Sequence, residues 1–437
     1  MTKAHPDAHF PDERALEPRQ LISASNLVLR AGNLMLGAGT SSLRVRQSMQ
    51  RVARSLGVDH LQAQITFTTI VVTIHRGGLF RTQAGEITTP GVDADRIRAI
   101  QHLTRRLPEH QTPDDIAAAL DAIGARTPLH RSWLVTLAVG LACASVAFLN
   151  GAGAREVLSA LLAATGAFVV HRFLLRRHLN LFGCVVISTV AASTIYAALA
   201  FLLHGGELLS TPKLLAGFVA ASVFLVPGFP LFTGGLDLAR LDLQAGVGRM
   251  VYAVVVMLSI GVGIWTVASV TGLQPTDPPP ALGEPAVLWS LRVVASFFAV
   301  LGWALMFNSP WREALGSSIV AIAGSVARLV LVDAGAMSHV ATFVGALVMG
   351  SLCHIVARRL GLTRLIMLVP TLLVMIPGAP ALQALLHFNN GDLFGFMSNG
   401  IFVVLQVITM ICGLVASMMI FDPAWAFTHR DRQPARP

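Results

Sequence analysis

Apolar and polar positions follow two different patterns along the chain, and the change falls at about residue 132. Before it, apolar residues recur at helical or alternating spacing between polar ones. After it, apolar runs of 18–26 residues alternate with short polar segments. A helix needs about 20 apolar residues to cross a bilayer, so the second pattern predicts a membrane protein with many spans.

The polar region predicts a small α/β domain. Helical spacing, with proline, serine or threonine at suitable first-turn and cap positions, predicts four helices, over 18–36, 40–56, 93–107 and 113–123. β-branched residues that alternate or cluster predict three strands, over 61–67, 70–75 and 79–89. Gly77 and Gly78 stand between the last two strands, which favours a hairpin there.

The apolar region predicts ten transmembrane helices. They are expected near 132–149, 156–174, 180–203, 213–232, 246–270, 288–307, 314–332, 338–357, 363–386 and 396–421. The Pro-rich segment TGLQPTDPPPALGEP separates the fifth from the sixth and is typical of a linker. The predicted organisation is a cytosolic α/β domain (1–131, with 1–14 disordered), a membrane repeat (132–271), a linker (272–287), a second membrane repeat (288–425) and a cytosolic tail (426–437).

Composition agrees with this division. Of the 437 residues, 54% are hydrophobic and 13% are charged, which excludes an ordinary soluble protein. Charged residues number 28 among the first 131 positions and 27 among the remaining 306. The first twenty residues lack the apolar core of a signal peptide. The four cysteines lie in apolar runs without metal-ligand spacing, so neither disulfides nor a metal site is expected.

Arginine placement predicts the topology. The net charge of +9 comes from residues spread over loops and helix ends, which favours membrane orientation over nucleic-acid binding. With ten spans, the Arg-bearing segments 172–178, 236–249, 308–313 and 358–364 all fall on the side of the N-terminal domain. Cytoplasmic loops are enriched in Lys and Arg, so both termini are expected in the cytosol and the protein in the inner membrane.

One motif occurs twice inside the apolar region, as VPGFPLFTGGLDLARLD at 226–242 and IPGAPALQALLHFNNGD at 376–392. The shared residues are Pro227, Gly228, Pro230 and Asp242, which recur 150 positions later as Pro377, Gly378, Pro380 and Asp392. Each proline removes a backbone donor, so the carbonyls freed at the break need protein or water as partners. A short helix that starts after Pro230 or Pro380 would present its amide end to an anionic group.

The chain predicts two inverted repeats. Halves of five spans each cross the membrane an odd number of times, so the second half must run in the opposite sense. The match of Arg155-Glu156-Val-Leu158 with Arg312-Glu313-Ala-Leu315 supports a duplication. Inverted repeats with interrupted helices are typical of secondary transporters. The expected fold class is a polytopic α-helical membrane protein of about ten transmembrane helices, as two inverted five-helix repeats, with an N-terminal cytosolic α/β domain.

The chain resembles the threonine/serine exporter family. The resemblance rests on LVLRAGNLMLGAGTSSLRVRQSMQRVARSLGV, on the strand residues ITFTTIVVTIHR and on the two PGxP motifs, and it extends over roughly residues 18–425. It implies an exporter of threonine and serine driven by the proton motive force. Related split proteins in enteric bacteria are linked to succinate export, so the resemblance leaves the exported acid open.

Candidate site residues follow from the breaks and the acids. The substrate-binding candidates are Pro227, Gly228, Pro230, Thr233, Pro377, Gly378, Pro380, Asn389 and Asn390. The candidates for the coupling proton or a substrate amine are Asp237, Asp242, Asp392, Glu156 and Glu313, and the alternative for each is an interfacial or helix-start position. His171, His204 and His354 could relay protons, with plain packing as the alternative.

A proton-coupled exporter of small polar metabolites is the favoured function, with a channel and a membrane-anchored hydrolase as alternatives. A hydrolase would have to use Ser41, Ser42, His75 and Asp59, but no G-x-S-x-G elbow frames the serines. No P-loop sequence occurs, so ATP is not an expected fuel and no cofactor is expected. The expected partners are the substrate, protons and the lipid bilayer. The sequence does not decide between a monomer and a homo-oligomer.

Overall fold

The computed structural model describes residues 19–87, 91–108, 111–206, 210–276 and 286–426. The chain divides into two compact units, residues 1–92 with 96–127 and residues 93–95 with 128–437. The segment 1–14, expected to be disordered, lies outside the described residues, as do 277–285 of the linker and 427–437 of the tail.

The first unit is a three-stranded antiparallel meander packed against helices. Its elements in chain order are α1 (Arg19–Gly37), α2 (Ser42–Ser55), β1 (His60–Ile65), β2 (Thr69–Arg76), β3 (Leu79–Glu86), α3 (Ala94–Arg106) and α4 (Pro113–Gly124). β2 lies at the centre and pairs with both neighbours, His60 opposite His75 on one side and Arg76 opposite Leu79 on the other. The predicted three strands are therefore present; β3 ends at Glu86, and 88–89 of its predicted range lie outside the described residues.

Alternate residues of β2 form the core of this unit, since Ile70, Val72 and Ile74 are fully buried. α1 crosses close above them at Gly32. A Cβ at Gly32 would lie 2.7 Å from Met49 Sδ and 2.9 Å from Ile70 Cδ1, so a glycine is needed for α1 to approach α2 and β2 this closely.

The second unit is helical. Its elements are α5 (Ser132–Leu149), α6 (Ala154–Arg176), α7 (Leu181–Leu203), α8 (Pro212–Ala220) with a 3-10 turn (Val223–Leu225), α9 (Gly228–Ala239), α10 (Leu243–Thr271), α11 (Ala286–Met306), α12 (Trp311–Asp333), α13 (Ser338–Leu360), α14 (Arg364–Leu373), α15 (Gly378–Asn389), α16 (Leu393–Phe421) and α17 (Pro423–Ala426). Within the described residues, eight helices are long and apolar enough to cross a membrane, or ten if each of two bent pairs counts as one span. The protein is a multi-pass membrane protein.

The predicted fourth and ninth spans, 213–232 and 363–386, are not continuous helices. α8 and α9 meet at 73°, and α14 and α15 meet at 44°. The sequence predicts a break at each Pro-Gly motif and both breaks lie there, although the span bounds drawn from apolar character run across them. Each second helix begins at Gly228 or Gly378, three residues earlier than the expected start after Pro230 or Pro380. Pro230 and Pro380 then occupy the first helical turn, where the missing N–H has no intrahelical partner in any case.

The helices of the two membrane regions match one another in length. α6 and α12 each have 23 residues, as do α7 and α13; α9 and α15 each have 12, and α10 and α16 each have 29. Their packing matches too, because α6 packs on α7 as α12 packs on α13, and α7 packs on α10 as α13 packs on α16. Such regularity is what an internal duplication produces.

α5 and α11 pack against each other with opposite chain directions. A Cβ at Gly302, near the end of α11, would lie 2.7 Å from Ala142 Cβ of α5. The Leu129 amide, just before α5, donates to Asn308 Oδ1 just after α11 at 2.8 Å. The start of α5 therefore lies beside the end of α11.

Candidate functional site

Each break lies against the helix that precedes the other break. A Cβ at Gly228 would lie 2.5 Å from Leu373 Cδ2 of α14, and a Cβ at Gly378 would lie 2.9 Å from Val219 Cγ1 of α8. The two breaks also share one backbone conformation, with φ and ψ of −80° and 65° at Pro227 and of −78° and 66° at Pro377. The recurrence of the motif thus corresponds to a reciprocal contact between the two halves.

An apolar cavity of about 120 Å³ lies beside this contact. Val226 and Leu231 line it from the first half, and Ile376, Pro377 and Gly378 line it from the second. Two of the predicted substrate-binding residues therefore face a cavity, but its walls are almost entirely apolar. It cannot by itself supply the polar partners that a charged metabolite needs.

A larger, polar pocket of about 290 Å³ lies on the other side of the second break. Pro380 forms part of its wall, and its polar lining consists of Asn150, Thr276, Gln383, His387 and Asn399. Gln383 Nε2 donates to the Thr276 carbonyl at 2.9 Å, which holds the segment after α10 against α15. Its volume equals that of about ten water molecules in the liquid, enough for a small metabolite.

The matched acids Asp242 and Asp392 occupy the N-cap positions of α10 and α16. Asp392 Oδ1 accepts the Gly395 amide at 2.9 Å, and its Oδ2 lies 2.8 Å from His387 Nδ1. The Gly395 hydrogen bond, together with His387, lowers the pKa of the Asp392 carboxyl below its usual range. A carboxyl held ionised in this way is poorly suited to carry a coupling proton near neutral pH.

Asp237 is one member of a buried ion pair. Its Oδ2 lies 2.6 Å from Arg249 Nη1, and each side chain is 2% exposed. The turn between α9 and α10 brings the two together, with Leu241 at a φ of 60° closing the reversal. Arg249 is not among the candidates predicted from the sequence; the signal for it is an arginine seven residues into a largely apolar span.

Two of the predicted proton-coupling residues meet in a second pair. Glu156 is buried at the start of α6, and its Oε1 lies 3.0 Å from His204 Nε2 at the end of α7. Glu313 is buried at the corresponding position of α12. His171 lies elsewhere, with Nδ1 3.0 Å from Ser188 Oγ. His354 stacks on the Phe421 ring.

The remaining polar candidates near the breaks make structural contacts. The Thr233 hydroxyl donates to the Phe229 carbonyl of its own helix at 2.6 Å. Asn389 Oδ1 accepts from Ser269 Oγ at 3.1 Å, and Asn390 Nδ2 donates to Gln274 Oε1 at 2.6 Å. The two asparagines therefore join the end of α15 to the end of α10.

The four hydrolase candidates have structural surroundings in the first unit. Asp59 Oδ2 accepts the Gly77 amide of the β2–β3 turn at 2.8 Å. The His75 ring packs at 5.9 Å from those of His60 and Phe80. Ser41 is the residue before α2, and Ser42 is the first residue of that helix. Across the described ranges, no group of three or more His, Cys, Asp or Glu could hold a metal ion.

Two family models match the chain. One, described as a threonine/serine exporter, matches residues 26–271, and the other, described as "Threonine/Serine exporter, ThrE", matches residues 292–420. The chain belongs to the threonine/serine exporter family. Membership confirms the resemblance predicted from the sequence, and it agrees with the multi-pass helical architecture.

Relatives of this exporter-family chain occur in bacteria and fungi. It is 28% identical, over 51% of its length and 85% of the relative's, to the "Probable succinate transporter subunit YjjP" of Escherichia coli (strain K12). It is 25% identical, over 68% of its length and 36% of the relative's, to "Uncharacterized protein C16A10.01" of Schizosaccharomyces pombe. A third relative, "Pheromone-regulated membrane protein 10" of Debaryomyces hansenii, is 27% identical over 42% of this chain and 18% of its own length. No solved structure matches the chain.

Proposed function

We propose that this protein is a secondary exporter of small carboxylate-bearing metabolites, with threonine and serine as its substrates and the proton motive force as its energy source. Family membership supports export of these amino acids. The observation that carries the proposal is the reciprocal contact of the two breaks, Gly228 against Leu373 and Gly378 against Val219. Secondary transporters bind substrate at interrupted helices between two halves of this kind.

Chain directions support an inverted arrangement of the halves. Because α5 and α11 are antiparallel, the chain crosses the membrane an odd number of times between their starts. The four long helices α5, α6, α7 and α10 give an even number, so the bent pair α8–α9 has to supply the fifth crossing. The same logic applied to α14–α15 gives ten crossings in all.

Contacts at the ends of the helices agree with ten crossings. Arg240, after α9, lies 4.5 Å over the ring of Trp425, which follows α16, and Asn389 at the end of α15 bonds Ser269 near the end of α10. Four crossings separate the start of α5 from Arg240, so ten crossings put the start of α5 and the end of α16 on the same side of the membrane. Arg-rich segments lie on that side as well, which supports cytosolic termini in the inner membrane.

The proposed substrate path runs between the breaks. Pro227, Gly228 and Thr233 flank it from the first half, and Pro377, Gly378 and Pro380 flank it from the second. The amide ends of α9 and α15 favour a carboxylate there. The pair of buried Glu156 and half-buried His204 is the proposed proton carrier, because a carboxylate and an imidazole in contact can pass a proton between them.

Dicarboxylate export is the second candidate. It is favoured by the name of the bacterial relative, "Probable succinate transporter subunit YjjP". The match to this chain covers 85% of the relative's length. Succinate carries a second carboxylate in place of the amino group of threonine. One set of assays can therefore separate the two candidates.

Transport should be measured with the full chain in proteoliposomes. Radiolabelled threonine, serine and succinate are each tested for counterflow, with and without an imposed pH gradient. We expect saturable counterflow of at least one of them, accelerated by the gradient, and little in a Gly228→Leu variant that still inserts. Flux without counterflow or saturation would indicate a channel, and release of a hydrolysed product would indicate an enzyme. Either result would overturn the proposal.

A further inference from the structure

The two halves place different side chains at equivalent positions near their breaks. In the second half, His387 and Asn399 line the open polar pocket. The positions 150 residues earlier, in the matched helices α9 and α10, are Asp237 and Arg249. These form the ion pair of 2.6 Å in which both side chains are 2% exposed.

A second pair of equivalent positions shows the same difference, with pocket-lining residues in one half and buried residues in the other. Asn150 and Ala379 line the open pocket. Their equivalents are Phe307, which follows α11 as Asn150 follows α5, and Phe229, which follows Gly228 as Ala379 follows Gly378. Phe229 and Phe307 are buried and pack edge to face, with ring centroids 4.9 Å apart. The volume that is open beside one break is thus filled by an aromatic pair and an ion pair beside the other.

We propose that Arg249 binds the carboxylate of the exported substrate, and that Asp237 occupies Arg249 while the substrate is absent. This proposal rests on the proposed function. A substrate carboxylate offers the guanidinium the same two oxygen acceptors as Asp237. It can therefore replace Asp237 at the arginine. The displaced Asp237 then pairs with the ammonium group of an amino-acid substrate or with water in the opened pocket, because an uncompensated charge inside the membrane is strongly unfavourable.

The exchange defines the substrate class chemically. It requires a small metabolite with a free carboxylate, and the rest of the molecule is left to other contacts. Threonine and succinate both qualify, whereas threoninol, in which a hydroxymethyl group replaces the carboxylate of threonine, does not. Separation of Asp237 from Arg249 would then depend on the arrival of a substrate carboxylate.

Binding should be measured on the purified full chain in detergent, by titration with threonine, succinate and threoninol. In the wild type we expect threonine or succinate to bind and threoninol not to. Arg249→Gln should abolish carboxylate binding, and Arg249→Lys should retain a weakened form of it because the two-pronged geometry is lost. Asp237→Asn should tighten carboxylate binding by about tenfold, since the internal competitor loses its charge.

Two further variants separate binding from folding. The double variant Asp237→Asn/Arg249→Gln removes both charges of the pair and leaves neither partner alone, so it should fold, yet it should not bind carboxylates. Arg292→Gln is the matched control, because Arg292 forms a more exposed pair with Asp333, at 2.7 Å, and its loss should leave binding unchanged.

The outcomes distinguish this proposal from the proposed function. If the folded double variant binds threonine or succinate as tightly as the wild type, Arg249 is not the carboxylate residue. An Asp237→Asn variant whose affinity is unchanged or weaker would also overturn the exchange. If instead the wild type exports no carboxylate in proteoliposomes, the proposed function itself fails.

Discussion

Gly228→Ala tests the contact between the halves with the smallest available perturbation. The new methyl group would lie 2.5 Å from Leu373 Cδ2, 3.0 Å from its Cγ and 3.2 Å from its Cδ1. Carbon atoms prefer separations of about 3.5–4.0 Å. Leu373 is buried, with 2% of its surface exposed, so it has little room to move away.

The expected cost follows from this overlap. Insertion of a methyl group into a well-packed site costs about 1–3 kcal/mol in the free energy of unfolding. Replacement of glycine by alanine in a helix by itself stabilises the folded state by roughly 0.5–1 kcal/mol. The net loss in the free energy of unfolding should therefore be about 1–2 kcal/mol. Gly378→Ala should cost less, because its methyl meets only Val219 Cγ1, at 2.9 Å, and the next atom lies 4.0 Å away.

The assay is a double-mutant cycle on the unfolding of the full chain in detergent. Gly228→Ala, Leu373→Ala and the double variant are compared, with Gly400→Ala as the control, since nothing lies within 4 Å of a Cβ there. Truncation of Leu373 removes the three atoms nearest to the new methyl, so the double variant should be more stable than the sum of the single effects predicts. Additivity to within about 0.5 kcal/mol would refute the reciprocal contact of the breaks.

Three further outcomes can be checked on the full chain. A Thr276→Cys variant without the native cysteines should react with a membrane-impermeant maleimide from outside the cell, and cytosolic labelling would contradict ten crossings. Gly32→Leu should destabilise the first unit by about 1–3 kcal/mol, seen as faster proteolysis there, because the side chain would meet Met49 and Ile70. Asp392→Ala should lower thermal stability at neutral pH. Because the folded pKa of Asp392 is lowered, this contribution is present above its ordinary pKa of 3.8 and should vanish as the pH falls through the folded value.

The sequence was sufficient to predict the fold class, because membrane spans and strands are read from short-range patterns. Apolar run length predicts a span, and recurrence of the PGxP motif indicates duplication. The two breaks are predicted by the repeated prolines and lie at the Pro-Gly motifs, but hydropathy does not fix where the second helix of each pair begins. Each second helix was expected to start after Pro230 or Pro380, although a proline fits inside the first turn of a helix.

The candidate site was harder to predict because it depends on contacts between distant or reversed segments. Asp237 and Arg249 are 12 positions apart, a spacing that would separate them by about 18 Å in one straight helix. The left-handed conformation at Leu241 folds α10 back along α9 and brings them together. No composition or spacing rule points to a left-handed leucine, a conformation unfavourable for residues with a Cβ. Asp242 and Asp392 recur at the N-cap positions of α10 and α16, and the Asp392 side chain accepts a capping hydrogen bond from the Gly395 amide.

The unequal surroundings of the two breaks have an energetic consequence for alternating access. If the halves exchanged conformations, the pocket beside the second break would close and Asp237 would separate from Arg249. His387 and Asn399 cannot form an equivalent ion pair, so the exchanged state would lose a buried charge pair without gaining one. We therefore expect the state with the Asp237–Arg249 pair intact to be favoured in the absence of substrate. A ligand shifts such an equilibrium only by its difference in affinity for the two states, and a shift from 1:99 to 99:1 needs a difference of about 10⁴-fold. A carboxylate binds Arg249 only in the state in which Asp237 has separated from it. Such a ligand has a higher affinity for that state and would shift the equilibrium towards it.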